Sequence, residues 1–258
     1  MGGIEGNSRG RGSPARRWPG GADDLSDAMS PESRIAERWQ SIEGRICDAC
    51  AAVGRDPEGV GLVAVSKGRS APEIAAAARA GLQRFGESRP QEFREKFALL
   101  EDLELGIEWH FVGRLQPNKV RLVVGACTMI HSVDDADLAE TIDDRSRSLD
   151  IVTPVLVQVN LSGESTKGGV DSGEAGELLA TMRTMAGIRP VGLMTMAPDV
   201  DDAEEVRPLF RGLAELAEQL RRELDLELPH LSMGMTGDFE VAVQEGATLV
   251  RIGRALFE

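Results

Sequence analysis

The sequence predicts an α/β fold in which a single TIM-type (β/α)8 barrel follows an N-terminal helix. Between residues 61 and 252, short apolar segments alternate with amphipathic stretches, which is the pattern of successive βαβ units. The chain has 258 residues, close to the roughly 250 of a typical closed barrel. Because eight such units fit into about 200 residues, we expect a closed barrel rather than an open doubly wound sheet, and we see no internal repeat and no second domain.

The first part of the chain differs in composition from the rest. Residues 1–28 are rich in Gly, Arg, Ser and Pro and show no apolar periodicity, which predicts a disordered tail. Ser30 and Pro31 then mark a helix start, because a hydroxyl cap precedes proline at the first helical position. We therefore predict a tail over 1–28 and a barrel domain over 29–258 that begins with a helix at about 31–53.

The barrel elements follow from the alternation along the chain. The segment 61–66 is almost entirely apolar, as expected for a strand that is covered on both faces. The predicted strands cover residues 61–66, 83–86, 108–113, 128–132, 154–160, 190–195, 229–233 and 248–252. The predicted helices between them cover residues 71–81, 89–104, 117–124, 135–148, 173–186, 202–224 and 238–245.

The composition excludes several functions. The formal net charge of −14 argues against a general nucleic-acid or anionic-membrane binder, and no apolar run approaches the roughly 20 residues that span a bilayer. Cys47, Cys50 and Cys127 do not make a disulfide framework, and the C-x-x-C pair falls in a helical pattern without a second ligand pair. This cysteine usage predicts a reducing compartment, hence the cytoplasm. The acidic surface and the solvated helices separately predict a monomer. The chain has no tyrosine, so no mechanism that needs a tyrosine acid or base can operate.

Lys67 stands at the carboxyl end of the first predicted strand, just before Gly68 and a helix start at Ser70. In α/β barrels, functional groups collect where strands end. An amine that apolar walls enclose there has a lowered pKa, which suits a lysine that forms a Schiff base with an aldehyde. The alternative is a lysine whose charged end reaches solvent.

The last predicted strand ends in a second unusual group. Arg251 interrupts an apolar strand, and Gly253 follows at the junction with a helical turn. Glycine at such a junction lets a phosphate approach backbone N–H groups. The alternative is a structural one, in which Arg251 forms an ion pair with an acid of a neighbouring strand.

The loop after the preceding strand combines hydroxyl groups with glycines. Ser232 and Thr236 supply the hydroxyls, and Asp238 is placed to cap the next helix. Loops after the seventh and eighth strands form the phosphate site in many barrels, so we expect a phosphate cradle here. An ordinary βα loop with an aspartate cap is the alternative.

Polar residues also occur at the second and third predicted strands. Ser88 lies two residues after the end of the second predicted strand. His110 alternates with aromatic residues in the third strand, where it is either a satisfied core histidine or a contact to a ligand ring. Both readings remain open at this point.

A series of short motifs agrees with one family in order and spacing. They are Ala64-Val65-Ser66-Lys67, Phe85-Gly86-Glu87, Trp109-His110-Phe111-Val112-Gly113, Leu115-Gln116 with Asn118-Lys119, Gly192-Leu193-Met194, Leu231-Ser232-Met233-Gly234-Met235 and Val250-Arg251-Ile252-Gly253. Over roughly residues 31 to 257 the chain resembles the pyridoxal phosphate homeostasis proteins (the YggS/PROSC family). Any one of these motifs would be a weak signal, and their agreement is a strong one.

The resemblance implies a barrel related to the N-terminal domain of alanine racemase, a fold type III barrel that binds pyridoxal 5′-phosphate (PLP). It implies that Lys67 is the Schiff-base lysine. It also implies that Ser232, Thr236 and Gly253, together with Arg254, hold the phosphate. The cofactor-binding residues that we expect from it are Lys67, Ser88, His110, Ser232, Met233, Thr236, Arg251 and Gly253.

The resemblance places Arg251 opposite the pyridine nitrogen, which has a chemical consequence. Many PLP enzymes place a carboxylate there, which keeps the ring nitrogen protonated and makes the ring a strong electron sink. An arginine cannot accept that proton. The ring is then a weaker electron sink, which disfavours carbanion chemistry.

The chain departs from the family pattern in four places. Ser88 stands where asparagine is usual, and Pro117 replaces a serine. Thr236 replaces a serine and keeps the hydroxyl. The sequence ends at Glu258, where the family usually continues. We expect the change at Ser88 and the early end to weaken cofactor binding.

Three functions are compatible with these residues. The first is a PLP carrier without turnover, which buffers intracellular PLP and has PLP and apo-PLP enzymes as its partners. The alternative is an amino-acid racemase, which needs an acid or base on each face of the substrate. The tyrosine that fills this role in alanine racemase is absent, and nothing favours Cys127 or His131 as a substitute. The third is a Schiff-base aldolase that acts on a sugar phosphate without a cofactor.

Overall fold

The strands form a closed ring of parallel neighbours. In the computed structural model, which describes residues 30–163 and 168–258, the strands are β1 (Gly61–Val65), β2 (Arg84–Glu87), β3 (Glu108–Phe111), β4 (Met129–Val133), β5 (Thr153–Asn160), β6 (Val170–Asp171), β7 (Ile188–Met194), β8 (His230–Ser232) and β9 (Leu249–Ile252). The ring runs β1–β2–β3–β4–β5–β7–β8–β9 and returns to β1. The short strand β6 lies outside this ring and pairs with β5. This closure confirms the predicted TIM-type (β/α)8 barrel.

Helices lie in the connections between the strands, before the first strand and after the last one. They are α1 (Pro31–Ala52), α2 (Ala71–Arg79), α3 (Pro90–Leu100), α4 (Val120–Val123), α5 (Ala136–Ser148), α6 (Ala175–Met182), α7 (Arg207–Leu224), α8 (Phe239–Gln244) and α9 (Arg254–Phe257). Single 3₁₀ turns lie at Pro57–Gly59, Glu101–Leu103, Pro117–Lys119 and Ala203–Val206. No helix in the described part of the chain is long and apolar enough to cross a membrane.

The predicted strand boundaries agree with the observed barrel strands to within two residues. The helices differ more at their ends. The predicted helix over 89–104 ends at Leu100 and continues as a 3₁₀ turn, because Glu104 has a left-handed backbone with φ of 48°. Strand β6 was not predicted, since two residues carry no periodicity. The predicted tail over 1–28 lies outside the described residues and stays a prediction, while residues 31–258 form one unit.

Helix α1 packs on the outside of the barrel with a single apolar face. Ile35, Ile42 and Ile46 are buried at intervals of seven and four residues, which places them on one side of the helix. Cys50 is buried in the same helix while Cys47 is exposed, and both thiols are free. The described residues contain no group of three metal-ligating side chains. Cys50 of the C-x-x-C pair therefore belongs to the packed face of the helix, and Cys47 to its exposed face.

The interior of the barrel changes from apolar to polar along its strands. A small apolar cluster comprises Val63, Met129, Leu156, Val191, Met194 and Leu249. Successive side chains of a strand alternate in direction, so residues two apart share a face. Arg251 and His131 therefore lie on the same face of their strands as Leu249 and Met129. The polar layer lies toward the carboxyl ends of the strands, where the candidate site is found.

Candidate functional site

Lys67 lies in a turn just beyond the carboxyl end of β1. The turn is closed by the Arg69 N–H, which donates to the Ser66 carbonyl at 2.9 Å, and Gly68 has a φ of 75° that favours glycine. Ser70 then caps α2, with Glu73 completing a capping box. The Lys67 side chain is exposed. The expected apolar enclosure of its amine is therefore wrong, because the turn carries the residue past the walls of the barrel.

A buried ion pair supports this turn from the side of α3. Lys96 Nζ donates to the Ser66 carbonyl at 2.7 Å, to Glu87 Oε1 at 2.6 Å and to Glu92 Oε1 at 2.7 Å. The same Glu92 oxygen accepts the Gly68 N–H at 2.6 Å. Burial raises the pKa of Glu87, although hydrogen bonds from Lys96 and Ser66 oppose the change. The cluster therefore holds both residues that flank Lys67 in the chain.

Arg251 lies inside the barrel and is 5% exposed. Its Nη1 donates to Ser232 Oγ at 2.8 Å, and its Nη2 donates to the Thr195 carbonyl at 2.9 Å. Burial lowers the pKa of Arg251 to about 10, and the nearby Asp238 carboxylate opposes the change. The guanidinium therefore stays charged at neutral pH. Among the residues that the structure describes, Arg251 forms no direct ion pair with a neighbouring acid, which was the alternative.

Two histidines continue this row of polar contacts. His131 Nδ1 lies 2.8 Å from Ser232 Oγ, and His131 Nε2 lies 2.8 Å from His110 Nδ1. Burial lowers the pKa of His110 to about 4 and holds the pKa of His131 well below its usual range. His110 is thus a hydrogen-bonded core histidine, and two side chains separate it from Arg251.

The loop after β8 lies against the end of β9. Met233 is fully buried and its N–H donates to the Leu249 carbonyl at 3.1 Å, while the Arg251 N–H donates to the Gly234 carbonyl at 3.0 Å. The half-buried Thr236 hydroxyl has no hydrogen-bond partner among the described residues. The Ser232 hydroxyl is instead fully buried and engaged by Arg251 and His131. The two hydroxyls that the sequence groups together therefore lie in different surroundings.

Backbone donors without partners lie at the ends of β8 and β9. In the described part of the chain, no acceptor is found for the backbone N–H groups of Thr236, Gly237, Arg254 and Ala255. Gly253 precedes two of them and lies close to β1, since a Cβ on it would meet the Val65 carbonyl oxygen at 3.2 Å. Unpaired N–H groups on two adjacent loops suit a phosphate, which accepts several hydrogen bonds. The donor set therefore fits the phosphate group of PLP.

The predicted residues gather on four consecutive strands of the ring. The order β2–β1–β9–β8 brings together the loops that carry Ser88, Lys67, Gly253 and Thr236. Ser88 is half-buried directly after β2, where Gly113 packs against its backbone. His110 lies outside this set, since its side chain points into the core of the barrel.

Sequence reasoning missed several residues of the site. Lys96 lies in the middle of a helix with no motif around it, and Thr195 contributes only its carbonyl. Glu87 was part of a motif, but no role was predicted for it. His131 was considered only as a racemase base. Contacts between distant strands create each of these roles, and no local pattern signals them.

The family model of the alanine racemase N-terminal domain matches residues 34–258. Two related proteins carry the name pyridoxal phosphate homeostasis protein. The one from Aquifex aeolicus is 45% identical over 221 residues, which is 86% of this chain and 96% of that protein. The one from Pseudomonas aeruginosa is 39% identical over 225 residues, which is 87% of this chain and 95% of that protein.

Solved structures agree with this comparison. PipY of Synechococcus elongatus, solved with PLP bound, has a TM-score of 0.77 and 36% identity over 87% of this chain and all of that one. Alanine racemase of Corynebacterium glutamicum has a TM-score of 0.62 and 15% identity over 86% of this chain and 60% of that one, which shows a shared fold. The family matches, the identities and the common fold confirm the resemblance read from the motifs: the chain belongs to the pyridoxal phosphate homeostasis protein family, whose barrel is that of the alanine racemase N-terminal domain.

Proposed function

We propose that this chain binds PLP at the carboxyl ends of β1, β2, β8 and β9 and serves intracellular PLP homeostasis as a carrier or buffer. The observation that carries the proposal is the PLP-bound structure of PipY, which shares 36% identity and the whole barrel with this chain. The unpaired N–H groups on the β8 and β9 loops and the buried guanidinium of Arg251 support it independently.

Lys67 is the residue that attaches the cofactor in this proposal. When bound, PLP supplies an aldehyde that condenses with an amine and releases one water. Lys67 is exposed at the strand end, where its amine is accessible to a ligand from solvent. Hydrogen bonds to Ser66 and Gly68 on either side fix the backbone that carries it. The Lys96 amine, by contrast, already donates to three acceptors and is not available for attachment.

The phosphate is assigned to the opposite side of the opening. The backbone N–H groups of Thr236, Gly237, Arg254 and Ala255, with the Thr236 hydroxyl, supply its donors. Gly253 keeps the β9 loop close to β1, because a side chain there would press on Val65. We assign Ser88 and the buried Met233 to the walls of the same opening.

Arg251 is assigned to the ring nitrogen. A guanidinium only donates hydrogen bonds, so it stabilises a ring nitrogen that carries no proton. Two of its donors hold Ser232 and Thr195, and the Nε–H is among those that remain. This arrangement favours retention of the cofactor over carbanion chemistry.

We propose that the bound cofactor undergoes no turnover. A racemase needs two acid or base groups, and the chain has no tyrosine. Burial raises the pKa of the Cys127 thiol to about 12, so the thiolate is scarce at neutral pH. His131 is engaged on both nitrogens inside the barrel. Neither of the candidate substitutes is thus suited to the role of a second base.

We further propose that the chain acts as a monomer in the cytoplasm and releases PLP to apo-enzymes. The free state of all three cysteines supports a reducing compartment. The exposed position of Lys67 supports exchange with solvent or with a partner. The related proteins named for homeostasis support the physiological role.

Absorbance of the purified protein with added PLP tests the attachment. We expect a visible absorption band that is lost in Lys67→Ala and kept in Lys119→Ala, a control lysine in the 3₁₀ turn between β3 and α4. The proposal fails if the band is absent from the wild type, or if it survives the loss of Lys67.

In a second experiment, exchange of the α-proton of L-alanine is followed in deuterium oxide. A rate equal to that of free PLP supports a carrier, whereas sustained faster exchange supports the racemase alternative.

A further inference from the structure

Four buried side chains form one continuous hydrogen-bonded row across the interior of the barrel. In order they are Arg251, Ser232, His131 and His110, and each successive contact is 2.8 Å long. Each of them is at most 5% exposed. We call these four residues the polar row. They come from four different strands, so the row exists only when the barrel is closed.

The chemistry of Arg251 sets the direction of the hydrogen bonds in the polar row. A guanidinium can only donate, so Ser232 Oγ must accept from Arg251. The Ser232 hydroxyl proton then needs an acceptor, and His131 Nδ1 is the one within reach. If His131 Nδ1 carried a proton instead, the buried Ser232 proton would have no acceptor.

The same logic extends to the second histidine. A neutral His131 that accepts at Nδ1 carries its proton on Nε2, and that proton is donated to His110 Nδ1. His110 then carries its own proton on Nε2. Both rings are therefore neutral and in the Nε2–H form. A proton on His131 Nδ1 would also bring a second positive charge close to Arg251.

We infer that His131 is a positioning residue for Arg251. By accepting a hydrogen bond from the Ser232 hydroxyl, it orients a lone pair of Ser232 Oγ toward the guanidinium. His110 holds His131 in the ring orientation and tautomer that this requires. The inference rests on the proposed function in one respect: it takes Arg251 to donate a hydrogen bond to the ring nitrogen of PLP. The state of the polar row itself is a property of the cofactor-free protein.

Nuclear magnetic resonance of the imidazole nitrogens tests the polar row without any cofactor. The chain has only three histidines, His110, His131 and His230, so the spectrum is simple, and His230→Asn identifies the signals outside the row. We expect pyridine-type Nδ1 and pyrrole-type Nε2 signals for both His110 and His131 at neutral pH. A pyrrole-type Nδ1 on His131, or a charged ring, overturns the inference.

Two substitutions of His131 separate its acceptor from its donor. In His131→Asn, the amide oxygen takes the place of Nδ1 and keeps an acceptor for Ser232. In His131→Gln, the amide nitrogen takes the place of Nε2 and keeps the donor to His110. We expect PLP affinity to stay close to that of the wild type in the first variant and to fall roughly tenfold in the second, because one hydrogen bond in the support of a charged group is lost.

The control is His230→Asn, since His230 is half-buried and lies outside the polar row. Equal losses in the Asn and Gln variants would mean that His131 serves only to fill space, and would overturn the inference. Unfolding midpoints of the cofactor-free variants separate a loss of fold from a loss of affinity. If the wild type itself does not bind PLP, the proposed function fails while the nitrogen signals still decide the state of the polar row.

Discussion

Lys96 Nζ lies 2.6 Å from Glu87 Oε1, and both side chains are buried beside the turn that carries Lys67. The pair joins helix α3 to the end of β2, and its third partner is the Ser66 carbonyl at the end of β1. The second oxygen of Glu87, Oε2, is buried and has no hydrogen-bond partner within residues 30–163 and 168–258. The position of Lys67 therefore depends on the charged side chains of Lys96 and Glu87, to which we assign no contact with PLP.

Removal of one member of this pair should be costly. Lys96→Met leaves the Glu87 carboxylate buried without its cation, which typically destabilises a protein by about 3–5 kcal/mol. We expect that loss in the free energy of unfolding, measured with urea. The double variant Lys96→Met with Glu87→Gln should recover part of the stability, because it buries no unpaired charge. As a control, Arg222→Met removes an exposed ion pair with Glu218 and should change stability little. A small effect of Lys96→Met would show that the pair is not a structural support.

The barrel and its strand order follow from apolar alternation, and the sequence motifs were sufficient to place Lys67, Ser88, Thr236 and Gly253 on neighbouring strand ends. Local patterns carry this information because each strand end is contiguous in the chain. The surroundings of Lys67 were not predictable, since the turn after β1 decides its exposure. The role of Ser232 was also out of reach, because it depends on side chains of β4 and β9 that only the closed barrel brings together.

The buried histidines should make the protein less stable in acid. The folded-state pKa of His110 is about 4, below the value of about 6.5 in an unfolded chain. The unfolded state therefore binds more protons between these values, so stability is fully present above about pH 6.5 and is lost as the pH falls toward 4. From His110 alone we expect a loss of about 2 kcal/mol between pH 7 and pH 5.

The measurement is urea unfolding of the cofactor-free protein at both pH values. His110→Asn keeps an acceptor for His131 and has no titrating ring, so its loss of stability over the same interval should be smaller by that amount. The lowered pKa of His131 acts in the same direction and should leave a residual dependence in this variant. An unchanged pH dependence would contradict a buried, neutral His110.

The contact between Gly253 and Val65 should limit what side chain the phosphate loop accepts. A Cβ on Gly253 would lie 3.2 Å from the Val65 carbonyl oxygen, which is backbone and cannot move aside easily. We expect Gly253→Ala to cost about 1–3 kcal/mol of stability and to weaken PLP binding, because the β9 loop is pushed away from β1. Gly173→Ala is the control, since a Cβ there meets nothing within 4 Å and the residue lies outside the phosphate loops. Equal effects of the two substitutions, in unfolding and in PLP titration, would contradict this role of Gly253.

Thr236 and Ser232 should differ in which part of PLP they serve. The Thr236 hydroxyl has no partner among the described residues and is assigned to the phosphate, whereas the Ser232 hydroxyl supports Arg251 at the ring nitrogen. Thr236→Ala should weaken PLP binding roughly tenfold and leave pyridoxal binding unchanged, because pyridoxal lacks the phosphate. Ser232→Ala should weaken both ligands by a similar factor, since both share the ring. Titrations with the two ligands give the dissociation constant of pyridoxal divided by that of PLP. We expect this ratio to fall in Thr236→Ala and to stay unchanged in Ser232→Ala. A fall in Ser232→Ala would assign the Ser232 hydroxyl to the phosphate site instead.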